Sequence, residues 1–129
     1  MSYKLEKLTG RRIIRVEINS EKDRLNLITP TEQVSLEIIG DCCSSSWLEH
    51  VDGIEFLIGG TIQRVEEIAS AVITNDADGK TDSYGLKLET NKGVCVLECR
   101  NESNGYYSGY FNVTERSSLG NYKPLTEDF

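Results

Sequence analysis

The sequence has no apolar run that approaches the roughly 18 residues of a membrane-spanning helix. Its first residues, MSYKLEKLTGRR, also lack the apolar core of a secretory signal peptide. Cations are few, with 14 Lys and Arg against 21 Asp and Glu and a net charge of -7. Because this balance repels polyanions, generic DNA or RNA binding is disfavoured. We expect a soluble cytoplasmic protein, and its 129 residues suit one domain.

The four cysteines include no C-x-x-C pair, so a familiar zinc-ligand spacing is missing. Cys95 and Cys99 fall in a predicted strand, where four residues separate their Cα atoms by roughly 13 Å, too far to share one zinc ion. We expect both to be small core residues. A site using Cys42 or Cys43 with His50 needs two further ligands from elsewhere. The sequence therefore predicts no metal and no cofactor.

Alternating apolar side chains predict antiparallel strands in most of the chain. They fall into two groups, over residues 12–19, 24–29 and 33–39 and over residues 82–90, 94–100 and 106–113. Asn104-Gly105 is the dipeptide that a tight turn requires, so we expect the last two strands to form a hairpin. Residues 61–74 fit either a helix or a strand. We favour a bent strand because the segment ends in β-branched residues.

Between the two groups lies GDCCSSSWLEHVDGIEFLIGG, which contains the only Trp and the only His. Here the apolar spacing changes. Trp47, Leu48 and Val51 are spaced for a short helical turn, and the preceding serines offer N-cap hydroxyls. The Gly59-Gly60 pair is suited to end a second turn.

The combined pattern predicts an α+β fold. It consists of a mainly antiparallel β-sheet of about seven strands with a short helical insert around residues 44–59. Residues 1–116 are expected to form a single globular domain. Residues 117–129 contain Pro124 and lack periodicity, so we expect a polar C-terminal tail.

Three motifs in order resemble a family of small single-domain proteins of unknown function encoded by phages and prophages. They are Asp41-Cys42-Cys43, then Leu57-Ile58-Gly59 leading to Val65-Glu66-Glu67, and finally SNGYYS at residues 103–108. The similarity covers most of residues 8–115. It departs at YGLKL, residues 84–88, where relatives have an aromatic-rich Tyr-Thr-Trp sequence. The resemblance implies a phage context and hence the host cytoplasm. Small phage proteins of this size often inhibit or sequester components of host defence, an analogy that carries no chemistry of its own.

The candidate binding site combines a polar corner, Asp41-Cys42-Cys43-Ser44, with an aromatic hairpin from Ser103 to Phe111. The corner lies at a predicted helix N-terminus, where backbone N–H groups suit an anion such as phosphate. Tyrosines of the hairpin are candidates to stack on a base, and arginines are candidate phosphate partners. The expected ligand-binding residues are Asp41, Cys42, Cys43, Ser44, Arg11, Arg12, Arg100, Asn104, Tyr106 and Tyr107.

The leading hypothesis is a non-enzymatic, homo-oligomeric phage-type protein that counters host defence by sequestering a nucleotide-derived immune signal. One alternative is an inhibitor that binds a host defence protein through an acidic, tyrosine-rich face. Another is a small hydrolase that uses Cys43 and His50. Since seven residues separate that pair, direct contact requires the chain to turn between them. Neither generic nucleic acid nor a membrane is an expected partner.

Overall fold

The computed structural model describes residues 2–105, 108–116 and 120–129. Within these ranges the chain forms nine strands, one short α-helix and a 3-10 turn at Leu5–Leu8. In chain order the elements are β1 (Arg15–Asn19), β2 (Arg24–Ile28), β3 (Gln33–Gly40), β4 (Ser45–Asp52), α1 (Ile54–Leu57), β5 (Ile62–Asp76), β6 (Gly79–Thr90), β7 (Val94–Ser103), β8 (Gly109–Thr114) and β9 (Tyr122–Pro124).

The strands make two antiparallel sheets, one in the order β8-β3-β2-β1-β9 and one in the order β4-β7-β6-β5. Apolar side chains from both sheets form a single buried core. The rings of Tyr84 and Phe111 illustrate the contact between the sheets, with centroids 5.3 Å apart. The fold is therefore a two-sheet sandwich. The predicted antiparallel β architecture and the meander of the first three strands are confirmed.

The predicted helical insert over residues 44–59 is wrong for most of its length. Residues 45–52 form β4, and the helix is limited to the four residues of α1. A register shift between Leu48 and His50 explains the misleading spacing. Because this bulge adds a residue, the buried side chains of Leu48 and Val51 are three residues apart, as on a helix.

The predicted hairpin around Asn104-Gly105 is also wrong. β7 pairs with β4 and β6 in the four-stranded sheet, whereas β8 pairs with β3 in the five-stranded sheet. The connection therefore crosses between sheets. Gly109 permits this close crossing, since a Cβ there would lie 2.4 Å from the Tyr84 hydroxyl oxygen. Residues 62–74 do lie in a strand, β5, with register shifts along its length.

Part of the expected polar tail lies in the five-stranded sheet. β9 pairs with β1, and the side chain of Leu125 is buried. β8 and β9 are opposite edges of this sheet, with three strands between them. The hydroxyl of Ser35, on β3, donates to the carbonyl oxygen of Arg116 over 3.4 Å. Together with β4, β9 raises the number of strands from about seven to nine.

No helix in the described ranges is long and apolar enough to cross a membrane.

Candidate functional site

The predicted arginines do not converge on the corner at residues 41–44. Arg11 contacts the carboxylate of Glu32, and its Nη2 lies 3.1 Å from Oε1 of Glu115. Glu32 precedes β3 and Asp41 follows it, and the eight residues of this strand separate them by more than about 23 Å. Arg12 lies at the same end of the fold, in a bridge with Thr61. Neither side chain is placed to share a ligand with Asp41.

Arg100 projects from the outer face of the four-stranded sheet. It pairs with Trp47 in register, and its guanidinium lies 3.5 Å from Glu98 and 3.3 Å from the hydroxyl of Ser83. Asn104 is exposed, in the connection between β7 and β8. Tyr106 and Tyr107 lie outside the described residues. The predicted site residues therefore occupy separate regions of the molecule.

The polar corner is a tight turn and not a helix start. The Ser44 amide donates to the carbonyl of Asp41 over 2.9 Å, and the Cys42 amide donates to the Asp41 carboxylate over 2.8 Å. Because β4 follows directly, no helix dipole points at this turn. These two amides are already occupied within the turn, so the anion geometry expected from the sequence is absent there.

An acidic cleft of about 570 Å³ opens beside this corner and is lined by residues of β2, β3 and β4. Its charged lining consists of Glu21, Asp23, Arg24 and Glu37, which leaves an excess of negative charge. The half-buried Trp47, residues 38–40 and residues 44–46 complete the wall. This cleft therefore suits a cationic group better than an anion.

A second cavity, the basic pocket, has the opposite charge. It has a volume of about 420 Å³ and carries three cations and one carboxylate. Its lining residues are Lys4, Arg24, Glu37, Asn112, Val113, Thr114 and Arg116.

Strand pairing brings the centre of the basic pocket together. Arg24 on β2 is the register partner of Glu37 on β3, which in turn is the partner of Asn112 on β8. These three side chains form one row across the outer face of the five-stranded sheet. Tyr3 bridges to Asn112 in parallel, and its neighbour Lys4 also lines the pocket. No sequence motif links these cations, so the sequence alone does not predict that they line one pocket.

Arg24 is the most enclosed cation of the pocket. Its side chain is 25% exposed, and its Nη1 lies 3.5 Å from Oε2 of Glu37. Its Nε is buried without a hydrogen-bond partner in the described part of the chain. Glu37 also accepts a bond from the side-chain amide of Asn112 over 2.7 Å.

A pair of tyrosines adjoins the basic pocket. The rings of Tyr3 and Tyr110 meet edge to face, with centroids 5.8 Å apart, and Tyr3 is 48% exposed. Tyr110 precedes Asn112 by two residues on β8, so the two side chains share a face about 7 Å apart. The face therefore offers cations and an exposed aromatic ring side by side.

The proposed nucleophile and base are separated. Cys43 lies in the corner, and His50 lies on β4 opposite Glu98. The six residues from Ser45 to His50 are extended over about 17 Å, so Cys43 and His50 make no direct contact. The expectation that Cys95 and Cys99 are core residues is confirmed, because both are buried. Burial raises the pKa of the Cys95 thiol to about 12 and raises the pKa of Cys99 as well.

These features define a small antiparallel β-sandwich with oppositely charged cavities on either side of an Arg–Glu pair. Residues 6–113 match the model of a family described as a domain of unknown function, DUF7448. The chain belongs to this family. No curated protein and no solved structure matches it.

Proposed function

We propose that the protein is a non-enzymatic, phage-type binding protein that counters host defence by sequestering a nucleotide-derived immune signal. In this proposal the phosphate of the signal binds in the basic pocket. The observation that supports it is the gathering of Lys4, Arg24 and Arg116 around one cavity in a chain whose net charge is -7. The cations of the pocket exceed its carboxylate by two charges. This local positive charge only partly offsets the negative field of the whole molecule, so a compact anion is favoured over a long polyanion.

The chemistry of the lining favours a phosphate. Arginine presents planar, forked donors that match phosphate oxygens, and two arginines face this pocket. Asn112 and Thr114 add neutral polar groups to its lining. The cavity volume of about 420 Å³ falls in the range of small-molecule sites.

The neighbouring tyrosines supply the second part of a nucleotide site. An exposed ring such as Tyr3 can stack on a base with little dependence on base identity. Its T-shaped contact with Tyr110 holds the ring at the pocket edge. A nucleotide would therefore place its phosphate at Arg24 and its base at Tyr3.

Calorimetry of the full chain against cyclic dinucleotides and cyclic ADP-ribose isomers tests the proposal. We expect micromolar or tighter binding of at least one compound. Arg24→Gln and Arg116→Gln should each weaken it about tenfold, since one charge-assisted bond contributes about 1.5 kcal/mol. Arg64→Gln is the matched control, because Arg64 is an exposed arginine on β5 in the other sheet. The absence of binding, or equal losses in all three variants, would refute the proposal.

A second candidate function, inhibition of a host defence protein, is favoured by the acidic cleft. Trp47 and the carboxylates of Glu21 and Asp23 could receive a Lys or Arg side chain of a basic partner surface. Glu21→Gln combined with Asp23→Asn would then abolish capture of the partner, whereas Arg116→Gln would not. Native mass measurement of the same samples reports the bound partner or nucleotide together with the expected homo-oligomer.

A further inference from the structure

Two exposed thiols lie side by side at the corner between β3 and β4. Sγ of Cys42 is 3.4 Å from Sγ of Cys43, and both side chains are exposed. Neither thiol lines the basic pocket or the acidic cleft, although their neighbours Gly40 and Ser44 line the cleft. Their closeness is therefore unexplained by the function proposed above.

The backbone of the corner holds the two thiols in place. Both Oγ and the amide of Ser44 donate to the carbonyl of Asp41, over 2.7 and 2.9 Å. A Cβ at Gly40 would lie 2.7 Å from the carbonyl oxygen of Ser44, so the two ends of the turn are in close contact. Cys43 adopts a left-handed backbone conformation, with φ of 64°. The main chain of the corner is therefore well defined, and it carries the two cysteine side chains next to each other.

We propose that Cys42 and Cys43 form a chelating dithiol site for a trivalent arsenical, an arsenic(III) centre that carries one organic group. Two sulfurs bound to one atom at about 2.3 Å, the length of a zinc–thiolate bond, lie about 3.4 Å apart when the angle at that atom is near 95°, as at a pyramidal centre. The thiols already have this separation.

A disulfide fits the same pair less well. Its sulfurs must approach to about 2.05 Å, and its Cα atoms are usually about 4.4 to 6.8 Å apart. Adjacent residues are held about 3.8 Å apart by the trans peptide. Ring closure would therefore strain the corner, whereas chelation leaves the sulfurs where they are.

The number of ligands at the corner also determines which kind of atom can bind there. Zinc takes four ligands, and in the described part of the chain no group of three His, Cys, Asp or Glu side chains converges. Two-coordinate Cu(I) prefers a linear arrangement, which requires sulfurs further apart. An arsenic(III) centre with one organic group is pyramidal and needs only two sulfurs, and thiolates are the ligands that soft centres prefer.

The binding reaction is balanced without an oxidant. With an aryl arsenoxide, two As–S bonds form and the arsenic–oxygen bond breaks. The two thiol protons leave with that oxygen as one water molecule, and arsenic remains trivalent.

Mass spectrometry of the full chain treated with phenylarsine oxide tests the site. We expect one phenylarsenic group per chain that survives excess monothiol and is removed by excess dithiol. Cys42→Ser and Cys43→Ser should each lower the retained adduct at least tenfold, while Cys95→Ala, which alters a buried thiol, should retain it. Trp47 fluorescence checks that each variant is folded. A wild-type chain without the adduct, an adduct stripped by monothiol, or an adduct retained by either serine variant would overturn the proposal.

Discussion

Nη1 of Arg24 lies 3.5 Å from Oε2 of Glu37, and this pair lines both the acidic cleft and the basic pocket. On one side the neighbouring charges are Glu21 and Asp23, and on the other they are Lys4 and Arg116. The pair thus separates two sites of opposite sign. Any change at this pair should alter binding in the two cavities in opposite directions.

Glu37→Gln tests this relationship. Among the described residues, Glu37 is the only carboxylate that lines the basic pocket, and the variant removes it. The amide oxygen of glutamine can still accept the bond from Asn112. We expect anion binding in the basic pocket to tighten about three- to tenfold, because a nearby charge in a half-exposed site contributes on the order of 1 kcal/mol. Calorimetry with the nucleotide panel measures the change. Glu66→Gln, on the exposed edge strand β5, is the control and should have no effect. Weaker anion binding in Glu37→Gln would contradict the assignment.

Tyr3→Ala separates stacking from phosphate binding. If Tyr3 stacks on a base, its removal should weaken nucleotide binding by about 1 to 3 kcal/mol. Binding of inorganic phosphate should be unchanged, since the cations are retained. Tyr3→Phe keeps the ring and should behave as wild type. A parallel loss of nucleotide and phosphate in Tyr3→Ala would mean that the residue only supports the fold of the N-terminal segment.

Leu125→Ala tests the attachment of the C-terminal segment. The side chain is buried, and the Leu125 amide donates to the carbonyl of Val16 over 2.9 Å. A buried Leu→Ala change costs about 2 to 5 kcal/mol, which should appear in the free energy of unfolding in urea. Thr126→Ala, at the exposed neighbouring position, should cost little. Equal, small effects of both variants would show that the segment is not packed on the sheet.

Stability should fall at alkaline pH because of the buried thiols. Burial raises the pKa of Cys95 from 9.0 to about 12 and also raises the pKa of Cys99. Above about pH 9 the unfolded chain loses these protons while the folded chain keeps them. The free energy of unfolding therefore decreases as pH rises, by up to about 1.4 kcal/mol per pH unit for each thiol. The loss continues until the folded thiols also ionise.

Urea denaturation at several values between pH 8 and 11 measures this slope. The double variant Cys95→Ala/Cys99→Ala should have a smaller slope than the wild type, whereas Thr126→Ala, which removes no titratable group, should not change it. Other groups titrate in the same range, so the difference between variants is the relevant quantity. Identical slopes in wild type and the double variant would contradict the role of the buried thiols.

The strands are predictable where apolar and polar residues alternate without interruption, as in β2 and β3. β4 is not, because its bulge places Leu48 and Val51 at helical spacing. The predicted hairpin between β7 and β8 is wrong because a turn dipeptide reports only local backbone geometry. The sheet to which a strand belongs depends on the strands that pair with it. β9 is three residues long and pairs with a strand a hundred positions earlier, so it carries no local pattern.

The candidate site was less predictable than the fold. Arg11 and Arg12 are adjacent in sequence, but the charge of Arg11 is paired with carboxylates. Lys4, Arg24 and Arg116 are far apart in sequence, and only the order β8-β3-β2 brings them around one cavity. Tyr110 belongs to the aromatic segment singled out from the sequence, yet its partner is Tyr3 at the other end of the chain. Such long-range neighbours follow from strand pairing, which composition and spacing do not specify.

The most direct test of the central claim is a nitrogen–proton correlation NMR titration of the full chain with adenosine monophosphate, with inorganic phosphate in parallel. The account predicts that both compounds shift the backbone amides of Lys4, Arg24 and Asn112, and that the nucleotide additionally shifts Tyr3 and Tyr110. Shifts confined to residues 44–47 in the acidic cleft, or no shifts at millimolar concentration of either compound, would contradict it.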